Sequence, residues 1–129
     1  MIGFLPFFLL LTFVAFGHAI ETTVVPTCPE GWESFGEDCY FVHMQSMEQS
    51  KAHAHCRSKD SDLVSIHNDG ESNFVLDFYT SKGGSGFSEF WLGAFRKTNS
   101  RKFEWSDQST FNYTKWGIEQ PDNRNLCVQ

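Results

Sequence analysis

Four short groupings carry side chains that could do chemistry. His53, His55 and Cys56 are a metal-ligand set on paper. On a helix, however, residues two apart do not share a face, so the two imidazoles diverge and read as solvated helix histidines. Gly83-Gly84-Ser85-Gly86 has the beginnings of a nucleophile turn, but Phe87 stands where the closing glycine would fall. Its surroundings are also not strand-then-helix, so it reads as a flexible loop. Asn112-Tyr113-Thr114 is an acceptor sequence for N-glycosylation. Gln120-Pro121-Asp122-Asn123 combines turn-forming residues in a polar stretch, and on its own reads as a turn. No nucleophile, base and orienting acid are brought together by the sequence, so no enzyme is expected.

The elements that must hold these groups begin after the first nineteen residues. Phe4 to Phe16 is an apolar run broken by Thr12 and followed by Gly17-His18-Ala19. That pattern fits a signal peptide over 1–19, cleaved after Ala19. The run is shorter than the roughly 20 apolar residues of a spanning helix, so no membrane span is expected in the mature chain. Residues 20–27 read as a Thr- and Val-rich extended arm and 28–129 as one small domain, placed outside the cell. A chain of this size has a marginal core without added constraints, and the oxidising compartment allows its four cysteines to supply them. A net charge of −6 with no basic cluster argues against nucleic acid as a partner.

Gly31 and Gly36 among Trp32, Phe35, Tyr40 and Phe41 predict a hairpin, with Cys28 and Cys39 lying across it. Closing that loop with a disulfide removes about 3 kcal/mol of unfolded-state entropy. Ser46 to Lys59 reads as a helix capped by Ser46, with Met44, Ala52 and Cys56 on one face. Asp62 to Ile66 is a short extended apolar segment. Asn68 caps a second helix, Glu71 reaches back in a capping box, and Phe74, Val75 and Phe78 form its buried stripe. Ser81 to Ser88 breaks the chain. Phe90 to Phe95 reads as a buried strand, and Phe103 to Asp107 alternates as a second strand or a support for the loop beyond it. From Gln108 onward the chain is polar and irregular, and a long structured loop of this kind usually carries function. Trp32, Trp91 and Trp105 are expected as core anchors, while Trp116, on the loop, stays open as a platform for a ligand.

In this order the residues resemble the C-type lectin-like domain in its long form. The matching pieces are Cys28-Pro29 with Gly31-Trp32, Cys39-Tyr40, Ala52 with Cys56, and Leu63-Val64-Ser65-Ile66. They continue through Glu71 with Asn73-Phe74-Val75, Trp91-Leu92-Gly93, Glu104-Trp105-Ser106-Asp107, Gln120-Pro121-Asp122 and Cys127. One departure is Gln49, where the family's first helix usually carries Trp. The resemblance implies an α+β fold: two helices around small antiparallel sheets, with a long loop bearing the ligand site.

The resemblance also implies that Gln120 and Asp122 flank a cis proline bond and aim two oxygens at one Ca²⁺ ion. Neighbouring sugar hydroxyls then complete the ion's shell. Gln-Pro-Asp is the order associated with galactose-type ligands, which makes Gln120, Asp122, Asn123 and Trp116 the candidate carbohydrate contacts. Ca²⁺ takes 6–8 oxygens, and relatives that bind it usually add a Glu shortly before the position of Cys127. Here that stretch is Asn123-Arg124-Asn125-Leu126. Asn125 is then a lesser candidate ligand, and a calcium-independent protein-interaction domain is the alternative function. Family pairing would join Cys56 and Cys127 to cysteines beyond Gln129. Both are therefore expected unpaired in a partial domain lacking its last strands, and a truncated product without function is a further alternative.

Overall fold

The computed structural model describes residues 27–85, 89–121 and 127–128. The expected signal peptide and nearly all of the arm lie outside the described residues, as do Gly86, Phe87, Asp122, Asn123 and Asn125. The elements in chain order are β1 (Glu33–Phe35), β2 (Asp38–Tyr40), α1 (Gln49–Arg57), α2 (Asp69–Ser81), β3 (Ala94–Arg96) and β4 (Phe103–Trp105). They form two helices and two two-stranded antiparallel sheets, the expected α+β arrangement.

β1 and β2 close through a two-residue turn in which Gly36 takes a positive φ of 61°, a conformation that glycine adopts without a Cβ penalty. Ser34 faces Cys39 across the ladder. Cys39 is bonded to Cys28 with their Cα atoms 5.6 Å apart, as the spacing predicted. Trp32 and Phe41 pack with ring centroids 4.6 Å apart and extend the apolar side of the hairpin.

The first helix is shorter than the sequence suggests. It begins at Gln49, with Glu48 at the cap position and no side-chain cap, so Ser46 is not the capping residue. A tertiary contact decides this. The Met47 carbonyl accepts a 2.8 Å hydrogen bond from Trp91 Nε1, and the first helical acceptor is the Glu48 carbonyl. Met44 falls outside the helix and is exposed, so it does not share the face on which Ala52 and Cys56 are half-buried.

The second helix starts as expected. Asn68 Oδ1 accepts from the Glu71 N–H over 2.9 Å. Glu71 Oε2 accepts from the His67 N–H, one residue before the position a capping box uses. Phe78 is buried, and Phe74 stacks on Phe35 at 4.5 Å, which fastens α2 to the hairpin.

Leu63, Ile66, Phe78, Ala94 and Trp105 are buried. The strand expected from Phe90 begins only at Ala94, because the preceding residues bond to separate segments. Leu92 N–H donates to the Val128 carbonyl and Gly93 N–H to the Val64 carbonyl. A Cβ on Gly93 would sit 2.7 Å from the Leu63 carbonyl oxygen and 2.7 Å from Ser106 Oγ, so only glycine fits between them. β3 pairs with β4 in the register Ala94↔Trp105 to Arg96↔Phe103, and Phe95 also bridges Cys127.

Candidate functional site

The segment from Asp107 to Pro121 contains no helix or strand, so side chains must hold it. Asp107 ties down its base. One carboxylate oxygen accepts from Ser65 Oγ at 2.6 Å, and the other accepts from the Ser109 backbone N–H at 2.8 Å and its hydroxyl at 2.6 Å. Partial burial pushes the Asp107 carboxyl up, but the hydrogen bonds from Ser109 and Ser65 outweigh it and leave the group below the usual carboxylate range. Further along, Phe111 packs on Trp105 at 5.0 Å and Trp116 on Phe103 at 5.1 Å, so the loop carries its own apolar anchors. Tyr113 Oη donates to Asp69 Oδ1 at 2.8 Å, and Lys115 Nζ lies 3.3 Å from the same oxygen. The Tyr113 hydrogen bond, followed by Lys115, holds the Asp69 carboxyl below its ordinary value.

After Trp116 the chain turns once more. Gln120 N–H donates to the Gly117 carbonyl at 3.1 Å, with Glu119 at a positive φ of 64°. This turn precedes the Gln120–Asn123 segment for which the sequence predicts one, of which Asp122 and Asn123 lie outside the described residues. The Gln120–Pro121 peptide bond is cis, as the resemblance implied. Trp116, Gln120 and Pro121 then line a cavity of about 570 Å³, closed on other sides by Trp105, Phe111 and Val128.

Residues 45–129 match the family model described as "Lectin C-type domain". The chain belongs to the C-type lectin family. It is 33% identical over 119 residues to the galactose-specific lectin nattectin of Thalassophryne nattereri, an alignment covering 92% of this chain and 74% of nattectin. It is 36% identical over 104 residues to ladderlectin of Oncorhynchus mykiss, covering 78% of this chain but 54% of ladderlectin, so it spans about half that relative's length. Among solved structures, human lithostathine superposes with a TM-score of 0.72 at 28% identity, over 78% of each chain. The C-type lectin CEL-I of Cucumaria echinata superposes with a TM-score of 0.69 at 33% identity, over 77% of this chain and 75% of that one.

In this C-type lectin domain the structure brings two candidate site residues together, Gln120 and Trp116, on one cavity. Trp116 is half-buried, part of its ring being taken up by Phe103. Asn112 is exposed. Asp122, Asn123 and Asn125 lie outside the described residues. Gln120 is thus the one described member of the expected calcium ligands, and a single neutral amide oxygen falls far short of the 6–8 oxygens Ca²⁺ takes. The described residues alone do not fit the ion. Among them, no group of three or more His, Cys, Asp or Glu is placed to hold any metal. Cys56 and Cys127 are free thiols. Burial pushes both above the ordinary thiol value, and Asp62 adds to the effect at Cys56, so neither is poised as a thiolate.

Two features escaped the sequence. The helix histidines are not simply solvated. His53 Nε2 lies 3.0 Å from Asp62 Oδ1, though outside hydrogen-bond geometry, and His55 packs against another imidazole. The fold also places Ser65, His67 and Asp107 side by side, His67 Nε2 lying 3.1 Å from Ser65 Oγ. The arrangement does not make a nucleophile. The Ser65 hydroxyl donates to Asp107 rather than to the imidazole, so the serine stands where a triad would put the histidine. Through the Ser65–Asp107 and Asp107–Ser109 hydrogen bonds these residues fix the base of the loop.

Proposed function

We propose that the protein is a secreted carbohydrate-binding lectin whose ligand site lies at the end of the 108–121 loop. Under this reading Gln120 and Asp122 hold Ca²⁺, with Asn125 as a lesser ligand. Gln120, Asp122, Asn123 and Trp116 contact a galactose-type sugar. The observation that carries the reading is the placement of Gln120 beside Trp116 on one cavity, at the start of a Gln-Pro-Asp run. The amide-then-carboxylate order sets which sugar hydroxyls donate and which accept. Nattectin, a relative with a galactose-specific name, supports the same sugar class. The expected result is retention of the purified chain on immobilised galactose and its release by a calcium chelator. Retention that survives chelation would reject the calcium mechanism.

A second reading, a calcium-independent protein-interaction domain, is favoured by one observation. Asn123-Arg124-Asn125-Leu126 offers no carboxylate, and Arg124 adds a positive charge two residues after Asp122 in the sequence. Calorimetry separates the two: a cooperative melt with no heat on Ca²⁺ addition supports the second, and heat that disappears in Asp122→Asn supports the first. Secretion is tested by N-terminal sequencing of the exported protein, which should begin at Ile20.

A further inference from the structure

His55 sits on α1, and its imidazole meets that of His43, which belongs to the segment between β2 and α1. The two ring centroids are 4.3 Å apart with planes inclined at 44°. Phe41 backs His55 at 6.0 Å and packs in turn on Trp32, so the pair stands on the disulfide-anchored hairpin as well as on the helix. His43 is exposed, which leaves one side of the pair open to solvent.

We infer that His43 and His55 form a two-histidine site for a borderline transition-metal ion, of the class Ni²⁺, Cu²⁺ or Zn²⁺. Imidazole nitrogens bind such ions at about 2.0–2.1 Å, so two rings on one ion at roughly a right angle have centroids about 4–5 Å apart. The observed separation of 4.3 Å falls in that range. Neutral imidazole is the binding form. Water must fill the remaining positions, because no third His, Cys, Asp or Glu among the described residues completes a set. Lys59, whose ammonium lies 5.6 Å over the Phe41 ring, opposes a cation and keeps the affinity modest. The site is independent of the calcium reading. A bound ion would pin the segment before α1 to the helix.

The test is calorimetric titration of the full chain with Ni²⁺ in excess Ca²⁺, which keeps hard-cation sites filled. One Ni²⁺ should bind per chain. His43→Ala and His55→Ala should each weaken binding by at least about tenfold, since each removes one of two protein ligands. His53→Ala, on the diverging face, should leave it unchanged, as should Cys56→Ser. His43 is exposed, so a metal-free melt matching the wild type is expected for His43→Ala and serves as the folding check. Absence of Ni²⁺ binding, or binding that survives His43→Ala, overturns the site. So does binding lost in Cys56→Ser.

Discussion

The Tyr113 hydroxyl donates to Asp69 Oδ1 over 2.8 Å, joining the long loop to the first turn of α2 across 44 residues of chain. Lys115 approaches the same oxygen, and a carboxylate at a helix N-terminus is further favoured by the helix dipole. The loop that ends at Gln120 is therefore positioned by a helix it does not follow in sequence.

Tyr113→Phe keeps the ring and removes the donor. Cleavage within 108–121 by a protease at limiting concentration should rise about two- to fivefold, with the global melt little changed, because a loop opens locally. The Asp69 carboxyl is held below its ordinary value, so the clamp is complete above the unfolded carboxylate pKa, near 3.9. It is lost as pH falls through the lower folded value. In Tyr113→Phe the carbon resonance of the Asp69 carboxyl should titrate at higher pH than in the wild type. An unmoved midpoint would show that the tyrosine does not hold the carboxylate.

Gly93→Ala should destabilise by about 1–3 kcal/mol, because the added methyl meets a backbone carbonyl that cannot rotate away. For a domain of this size that lowers the melting temperature by about 4–8 °C per kcal/mol. A melt within 1 °C of wild type, at about the limit of detection on that scale, would mean that the Leu63 and Gly93 segments separate more easily than their hydrogen bonds suggest.

Tyr40 gives an alkaline signature. Burial, with Glu71 and Asp38 nearby, pushes its hydroxyl from 10.0 up to about 12. A raised folded value means that the stability it contributes is complete below pH 10 and is lost between pH 10 and about 12. Solvent reaches the half-buried ring, so screening reduces the effect to about 1 kcal/mol. Absorbance titration of the phenolates should show a late phase that shrinks in Tyr40→Phe, the remainder coming from Tyr113, which its hydrogen bond to Asp69 also raises. If that variant titrates like the wild type, the late phase belongs to another tyrosine.

Asn112 is exposed, and its acceptor sequence continues through the exposed Thr114. Expression through a eukaryotic secretory route should give a heavier species that Asn112→Gln and amidase digestion both remove. An identical mass for the wild type and the variant would show that the acceptor is not used.

Much of this was written locally. Cys28 and Cys39, spaced around Gly31 and Gly36, determined the bridged hairpin, because glycine alone takes the turn's positive φ without cost. Asn68 and Glu71 determined where α2 begins, since a cap needs only a side chain within three residues of the orphan N–H groups. The ordered run from Cys28 to Gln120-Pro121-Asp122 carried the family. Contacts between distant segments were beyond the reach of spacing. Trp91 takes the Met47 carbonyl and so sets the start of α1, which propensity alone had placed at Ser46. Gly93 must bond Val64 and so delays β3 to Ala94. His55 finds His43 rather than His53 because the partner comes from another segment, and helical periodicity describes only one element at a time. Tertiary packing alone brought Tyr113 to Asp69 and Trp116 beside Gln120, because a loop without its own ladder is shaped by whatever it rests on.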